Sequence, residues 1–278
     1  MRLLQWNIQW CRGMDGVVDP ARIARVAREL GDPDVCCFQE VAMNFPALAG
    51  SKGEDQPLLL AREFKDYSAQ LVSGVDVPDG AGGRRRFGNM ILSRLPVRQV
   101  LRHSLPWPGE DDTPSMPRVA IEAVIEAPWG PVRVTTTHLE YYSVAQRAAQ
   151  VARLRELHAE ALVHARARPS ARYDSGPFEP LLRPASAILT GDFNMKPDDA
   201  LVSELLKDYQ DAWRIAHPSE PHPPTFCLHG KEHGATPYCC DFVFVTEDLA
   251  ARVTTVRVDL DCQASDHQPV LVELESNK

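Results

Sequence analysis

The sequence lacks what a membrane or secreted protein would carry. No apolar run approaches the roughly 20 residues that a membrane-spanning helix needs, so insertion into a bilayer is not expected. Met1 and Arg2 lead straight into Leu3-Leu4-Gln5-Trp6-Asn7, with no long apolar stretch and no small-residue cleavage site to mark an export signal. Cysteine is sparse and odd in number, seven in 278 residues. Two adjacent pairs, Cys36-Cys37 and Cys239-Cys240, sit in apolar runs. Neighbours on a strand point to opposite faces, so neither pair reads as a disulfide. The expectation is reduced, buried thiols in a cytoplasmic protein. Zinc chemistry is also short of support, because Cys227, His229, His233, Cys239 and Cys240 match no standard finger spacing.

Positive charge is scarce: 30 Lys and Arg against 38 Asp and Glu leave a net charge of −8. That argues against a broad basic surface for gripping nucleic acid nonspecifically. It leaves room for a local basic patch, or for metal ions among clustered carboxylates. There is no internal repeat, no low-complexity tract and no linker that splits the chain. Residues 1–278 are read as one domain of the α/β class, and a monomer is expected.

What is present is a set of apolar runs that end in polar residues. Leu3 to Ile8 reads as a buried strand closing at Asn7. Asp19 and Pro20 open an amphipathic helix that stops at Gly31. Asp34 to Glu40 reads as a second buried strand ending in a carboxylate, so strand, helix and strand form a crossover unit. Later strands are expected at Tyr67 to Val72 and Phe87 to Leu92, with Gly74 to Gly83 as a loop between them. Arg118 to Glu126 and Val132 to Thr137 straddle Pro128-Trp129-Gly130-Pro131 as a hairpin, followed by His138. Ser143 and Gln146 cap a long helix running to about His164. Pro169 to Pro184 is irregular. Ala187 to Leu189 then leads into Thr190-Gly191-Asp192-Phe193-Asn194, and Asp198 is the expected cap of a short helix. The last strands are Cys239 to Val245, Val253 to Val258 and Gln268 to Leu274, the last introduced by Ser265-Asp266-His267.

Residues two apart on an extended segment point the same way. Asp192 and Asn194 therefore aim together into a cleft, with Phe193 turned into the fold, and ligands of open α/β sheets bind at strand ends. The full strand-end set is Asn7, Glu40, His138, Asp192, Asn194, Asp241, Asp266 and His267. It offers oxygen donors and two imidazoles but no thiolate, which suits Mg²⁺ or Mn²⁺, as one or two ions. Phosphoryl transfer needs such a site, with a metal to offset charge, an oriented water and donors on the nonbridging oxygens.

In order along the chain stand Gln5-Trp6-Asn7-Ile8, Phe38-Gln39-Glu40, Gly88-Asn89-Met90-Ile91-Leu92-Ser93, Thr137-His138-Leu139, Gly191-Asp192-Phe193-Asn194, Asp241-Phe242-Val243-Phe244-Val245 and Ser265-Asp266-His267-Gln268-Pro269-Val270. These motifs resemble those of the endonuclease/exonuclease/phosphatase superfamily of metal-dependent phosphoesterases, over nearly the whole length. The resemblance implies a four-layer α/β/β/α sandwich with two packed mixed β-sheets. It implies Glu40 as principal metal ligand with Asn7 beside it, and Asp266 as a further ligand. Asp192 would orient or deprotonate the attacking water, and Asn194 would sit at the phosphate or the same water. His267 would contact the scissile phosphate, oriented by Asp241. His138 would hold a nonbridging oxygen or help protonate the leaving group.

Histidine at position 138 resembles the deoxyribonuclease, sphingomyelinase, inositol phosphatase, deadenylase and tyrosyl-DNA phosphodiesterase branches rather than abasic-site endonucleases. Cys239 departs from the basic residue that many relatives carry there. Asn89, Arg84, Arg85, Arg86 and Arg118 are the candidate substrate-binding residues. Nucleic acid is the expected substrate. A lipid or small phosphoester is the alternative, and a non-catalytic binding module on the same scaffold is the remote one.

Overall fold

A computed structural model describes residues 1–168, 176–230 and 236–276. Among the described residues the strands make two six-stranded mixed sheets. The chain opens with β1 (Arg2–Asn7), α1 (Pro20–Gly31) and β2 (Val35–Met43). β1 and β2 pair in parallel, so the expected crossover unit is present. Asp19 caps α1 by accepting from the Arg22 amide, Pro20 occupies the first turn, and Asp32 ends the helix in a left-handed conformation. After α2 (Gln56–Glu63), β3 (Ser68–Pro78) and β4 (Arg84–Ser93) form a long antiparallel hairpin. β11 (Val253–Val258) and β12 (Val270–Leu274) complete the first sheet, in the order β11-β12-β1-β2-β4-β3.

The second sheet begins with β5 (Val97–Ser104), β6 (Val119–Ala127) and β7 (Gly130–His138). The long helix α3 (Val144–Arg166) then crosses over to β8 (Ala187–Asp192), which pairs in parallel with β7. Next come α4 (Ala200–Leu205), β9 (Gln210–Asp211), α5 (Ala212–Ala216), β10 (Asp241–Val245) and α6 (Glu247–Ala250). The order is β5-β6-β7-β8-β10-β9.

Alternation along the central strands builds the layers. Leu3, Val35, Cys37 and Ile91 face Ile121, Val134, Ile188 and Val243 between the sheets. Leu4, Trp6, Cys36 and Phe38 face the other way and pack on Ile23 and Ala27 of α1 and Leu60 of α2. On the far side, Leu189, Phe193 and Phe244 pack on Val151 and Leu154 of α3 and Leu205 of α4. Strands buried on both faces need near-continuous apolar sequence, as these have. The four layers of helix, sheet, sheet and helix follow. All seven cysteines are buried thiols outside any disulfide, and no described helix is long and apolar enough to cross a membrane.

Several elements depart from expectation. The loop placed at Gly74 to Gly83 is a hairpin whose strands reach Pro78 and resume at Arg84, with a register shift between Ser73 and Val75. A proline is tolerated at Pro78 because β3 is the sheet's edge. β5 went unread. The cap of α4 is Asp199 rather than Asp198. β10 and β12 start at Asp241 and Val270, two residues later than expected. Residues 169–175 of the irregular segment, and His233 of the weighed zinc set, lie outside the described residues.

Candidate active site

β1, β7 and β8 deliver polar side chains to one rim between the sheets. Asn7 ends β1, while His138 and Asp192 end β7 and β8 in register with each other. Asp241, the first residue of β10, pairs across from Asp192. Gly191 permits the tight β7–β8 pairing: a Cβ there would lie 2.0 Å from the Thr137 carbonyl oxygen. The neighbouring strand, not a ligand, makes the close approach at this glycine.

Glu40 is not at a strand end. β2 continues to Met43, and the extra residue between Phe38 and Val41 makes a β-bulge against β4. Glu40 there has φ +58°. Bulges re-aim side chains beside active sites, and this one turns Glu40 into the cleft while Gln39 points between the sheets. Gln39 donates to Thr136 Oγ1 at 2.8 Å, Gln5 donates to Gln39 Oε1 at 2.6 Å, and Gln5 Nε2 lies 3.3 Å from Asp241 Oδ1. This buried amide ladder links both sheets beneath the site and supplies the partners that buried polar groups require.

The segment carrying Asp266 and His267 is pinned to β1. Ser265 Oγ donates to the Asn7 carbonyl at 2.8 Å, and the Trp6 indole donates to the His267 carbonyl at 2.9 Å. The two ends of the chain thus meet at the site. Asn7 Nδ2 stands at its centre, 2.9 Å from Asp192 Oδ2 and 3.0 Å from Glu40 Oε1. His138 Nε2 is 3.4 Å and His267 Nε2 3.6 Å from the same Asp192 oxygen. Asn194 accepts no strand pairing here; its amide donates to Asp192 Oδ1 at 3.0 Å and its side chain to the Leu139 carbonyl at 2.9 Å. Phe193 is fully buried.

The two imidazoles are driven in opposite directions. Burial, reinforced by the Arg118 guanidinium, pushes His138 down from 6.5 to about 3. Burial acts on His267 in the same sense, but Asp241 and Asp192 outweigh it and raise the ring to about 10. Asp241 Oδ2 is 2.9 Å from His267 Nδ1. Burial and the nearby Asp266 raise Glu40 from 4.5 to about 7.

That last shift is a test of metal fit. A largely buried carboxylate that resists ionisation beside another acid is a place where a cation relieves repulsion. Glu40 and Asp266 both line the cleft. Gln9 donates to Asp266 Oδ2 at 2.8 Å, and its own Oε1 is buried with no partner among the described residues. Hard oxygen donors of this kind fit a divalent cation. A second grouping, Asp192, Cys240 and His267, has ligand atoms within 4.8 Å of one another. It fits less well, because burial pushes the Cys240 thiol far up and His267 is held protonated. Of the weighed zinc set, Cys240 faces His267 and Asp241, Cys239 contacts the Asp241 carbonyl, and His229 bonds to the Leu260 carbonyl. They do not converge.

The proposed substrate residues divide. Arg118 lines the cleft; it is buried, pairs with buried Glu140 at 3.2 Å, and has Nη1 unpartnered among the described residues. Arg84 and Arg86 instead hold Asp76, at 2.6 and 3.3 Å. Arg85 donates to the Pro78 carbonyl and lies over the Phe45 ring. The triplet is the return strand of the β3–β4 hairpin, so cross-strand pairing engages its charge. Asn89 is buried and donates to the Val119 carbonyl at 2.9 Å; it lines a small pocket shared with Arg118 and His138 rather than the main cleft itself.

Three contributors escaped the sequence. Gln9 stands two residues after Asn7 but past the end of β1, as Asn194 stands past the end of β8 with φ +52°, so the extended-strand spacing that aims alternate residues together does not apply to either. Gln9, Trp10 and Cys11 have φ of 43°, 42° and 60°, a left-handed run that costs roughly 1–3 kcal/mol per residue and is characteristic of functional sites. Thr225 donates to Asp241 Oδ2 at 2.6 Å from an irregular stretch that gave no signal. Glu140 accepts from the amides of Tyr141 and Tyr142 and so fixes the segment after His138.

A cleft of about 550 Å³ with two oppositely tuned histidines, clustered acids and a buried arginine defines a phosphoester hydrolase of the two-sheet sandwich class. The chain belongs to the endonuclease/exonuclease/phosphatase family, whose model matches residues 4–267. Comparison with curated proteins gave no match. Among solved structures, an endonuclease/exonuclease/phosphatase from Beutenbergia cavernae is 25% identical with a TM-score of 0.68, covering 99% of this chain and 71% of its own. The mannosyl-6-phosphatase of Bacteroides thetaiotaomicron is 17% identical with a TM-score of 0.65, covering 99% of both chains. A 3′ phosphatase from Neisseria, bound to a product DNA hairpin, is 22% identical with a TM-score of 0.60, again covering 99% of both.

Proposed function

We propose that this enzyme is a Mg²⁺- or Mn²⁺-dependent phosphodiesterase whose substrate is nucleic acid. The observation that carries the reading is the convergence on Asp192 Oδ2: Asn7, His138 and His267 all lie within 3.6 Å of it. A carboxylate so placed, open to the cleft, is positioned to take a proton from an attacking water. Asn7 and the Asn194 amide fix its rotamer. His267, held protonated by Asp241, directs positive charge at the phosphate and stabilises the charge that develops there. Its Nε2 proton is available to a phosphate oxygen or leaving group. His138 is neutral at working pH and serves as a hydrogen-bond donor to a nonbridging oxygen. Arg118 Nη1 offers a second donor. Glu40 and Asp266, with Asn7 and Gln9 beside them, would hold the divalent ion, which supplies charge neutralisation at the phosphate.

Asp192→Ala and His267→Ala are each expected to remove turnover while leaving the melting transition in place. Full activity in either variant sinks the mechanism. Substrate class is read from one panel in Mg²⁺ and in Mn²⁺, comprising single- and double-stranded DNA, RNA, a 5′-tyrosyl end, sphingomyelin, inositol phosphates and a sugar phosphate. Hydrolysis confined to a lipid or a phosphomonoester refutes the nucleic-acid reading and leaves the residue roles standing.

A further inference from the structure

The cleft is larger than a phosphate and its metal need. At about 550 Å³ it falls within the roughly 300–1,000 Å³ of pockets that hold organic ligands. Its walls are aromatic. Tyr141 and Tyr142 follow His138 by three and four residues, are 39% and 63% exposed, and meet edge to face at 4.8 Å. Isolated exposed aromatics need no explanation. Two together beside the reacting groups do, because their mount is rigid. Glu140 Oε1 accepts from both tyrosine amides at 2.9 Å, and Arg147 Nη1 donates to the Glu140 and Tyr141 carbonyls at 2.7 and 3.1 Å. Trp10, on the strained turn after β1, reaches the same cleft from the first sheet. Its indole is fixed on the Ala49 carbonyl at 2.9 Å and its own carbonyl is held by Gln56 at 2.7 Å.

Charge narrows the occupant. Arg84 and Arg86 are tied to Asp76, and the chain carries a net −8. A duplex is gripped mainly through many phosphate contacts, which an acidic chain with these arginines engaged by Asp76 does not favour. Stacking on aromatic side chains holds an unpaired base without them. We propose that Tyr141 and Tyr142, together with Trp10, form a stacking subsite for an unpaired nucleobase adjoining the scissile phosphate, with Arg118 Nη1 on a phosphate oxygen. The enzyme then selects single strands or frayed ends over duplex. This rests on the nucleic-acid reading above and adds the conformation of the substrate.

The test uses the full chain with Mg²⁺ and three substrates: a short single-stranded oligodeoxynucleotide, its duplex, and the same strand with tetrahydrofuran abasic residues flanking one linkage. The enzymes are wild type, Tyr142→Phe, Tyr142→Ala and the Tyr141→Ala/Tyr142→Ala double variant, each checked for an unchanged melting transition. Base–aromatic stacking predicts that the Ala variants lose about 10-fold in kcat/KM on the base-bearing strand. Their loss on the abasic strand is several-fold smaller, Tyr142→Phe retains the preference, and wild type disfavours the duplex. Equal losses on both strands, or a duplex cut as readily as the single strand, overturn the stacking subsite while the phosphodiesterase reading stands. Turnover of bis(4-nitrophenyl) phosphate with none of any oligonucleotide overturns the subsite and the substrate reading together.

Discussion

Replacing Glu40 by Gln should stabilise the metal-free enzyme at alkaline pH while removing its response to Mg²⁺. Burial and Asp266 raise the Glu40 carboxyl from 4.5 to about 7. A tenfold change in an ionisation constant corresponds to about 1.4 kcal/mol, so ionising Glu40 in the folded state costs roughly 3 kcal/mol relative to the unfolded chain. Between the two values the folded protein binds more protons than the unfolded one, and stability therefore falls as pH rises. The cost is absent below pH 4.5, grows through the window and is complete above about 7. Gln keeps an oxygen to accept from Asn7 Nδ2, now 3.0 Å from Glu40 Oε1, and removes the charge. For a chain of this size 1 kcal/mol moves Tm by roughly 2–4 °C. The difference between variant and wild type in EDTA should thus be near zero at about pH 4 and reach roughly 6–12 °C at about pH 8. Mg²⁺ should raise the wild-type Tm more at pH 8 than at pH 5.5, because the ligand must be ionised, and raise that of the variant little. The assay is a thermal melt of both proteins across pH, with and without Mg²⁺. A variant less stable than wild type at pH 8 without metal, or equally stabilised by Mg²⁺, refutes the argument.

Three further outcomes follow from the geometry. Asp241→Asn removes the carboxylate 2.9 Å from His267 Nδ1, leaving burial to dominate. The alkaline limb of kcat/KM should move from near 10 toward or below neutrality, with a loss of roughly 10²–10⁴ at pH 8; an unmoved limb refutes the assignment. Arg84→Ala/Arg86→Ala should leave KM for an oligonucleotide and its salt dependence unchanged and cost under about 1 kcal/mol in denaturant melts, as exposed pairs do. A steeper KM would restore the triplet to substrate steering. Gly191→Ala would push a Cβ against the Thr137 carbonyl, 2.0 Å away, and should lower stability by at least roughly 2 kcal/mol; an unchanged Tm refutes the close-approach reading.

The sequence was most legible where a buried strand stops. Asn7 and Asp192 each close a short apolar run and His138 a β-branched one, and burial of both strand faces makes the ends of such runs sharp. The layers followed from the same alternation, as Cys36 and Cys37 pointing to opposite cores illustrate. Legibility failed where pairing, rather than pattern, decides. β5 is an edge strand with Arg98, Arg102 and His103 among its residues, so its polar content reads as loop. The β3–β4 hairpin tip carries Gly, Asp and Pro and was read as irregular, although ladder bonds hold it. The arginine triplet drew attention as a block of charge, but only the cross-strand register reveals Asp76 beside it. The bulge at Glu40 needs the partner strand to be seen at all, and the left-handed run at Gln9 to Cys11 contains no glycine that would announce it.

In the proposed mechanism, two histidines with opposite charge states divide the work of the site. Pairs of titratable groups whose surroundings push them apart carry distinct acid and base roles. His138 lies closer to Asp192 than His267 does, at 3.4 against 3.6 Å, yet burial and Arg118 keep it neutral, at about 3. What separates the two is Asp241, which engages His267 from behind and leaves its Nε2 facing the cleft. A neutral His138 does not compete for the proton that Asp192 must accept, and a charged His267 is not a base. Of the three groups, Asp192 is then the one left to serve as base in the proposed mechanism. A ring at about 3 keeps an N–H for hydrogen bonding but carries no acidic proton near neutrality, whereas His267 does, which favours His267 over His138 as the donor to the leaving group. In this proposal Arg118 acts twice, offering Nη1 to the phosphate while its charge adds to burial in holding His138 in the neutral form. Glu140 fixes Arg118 in both roles from the side away from the cleft.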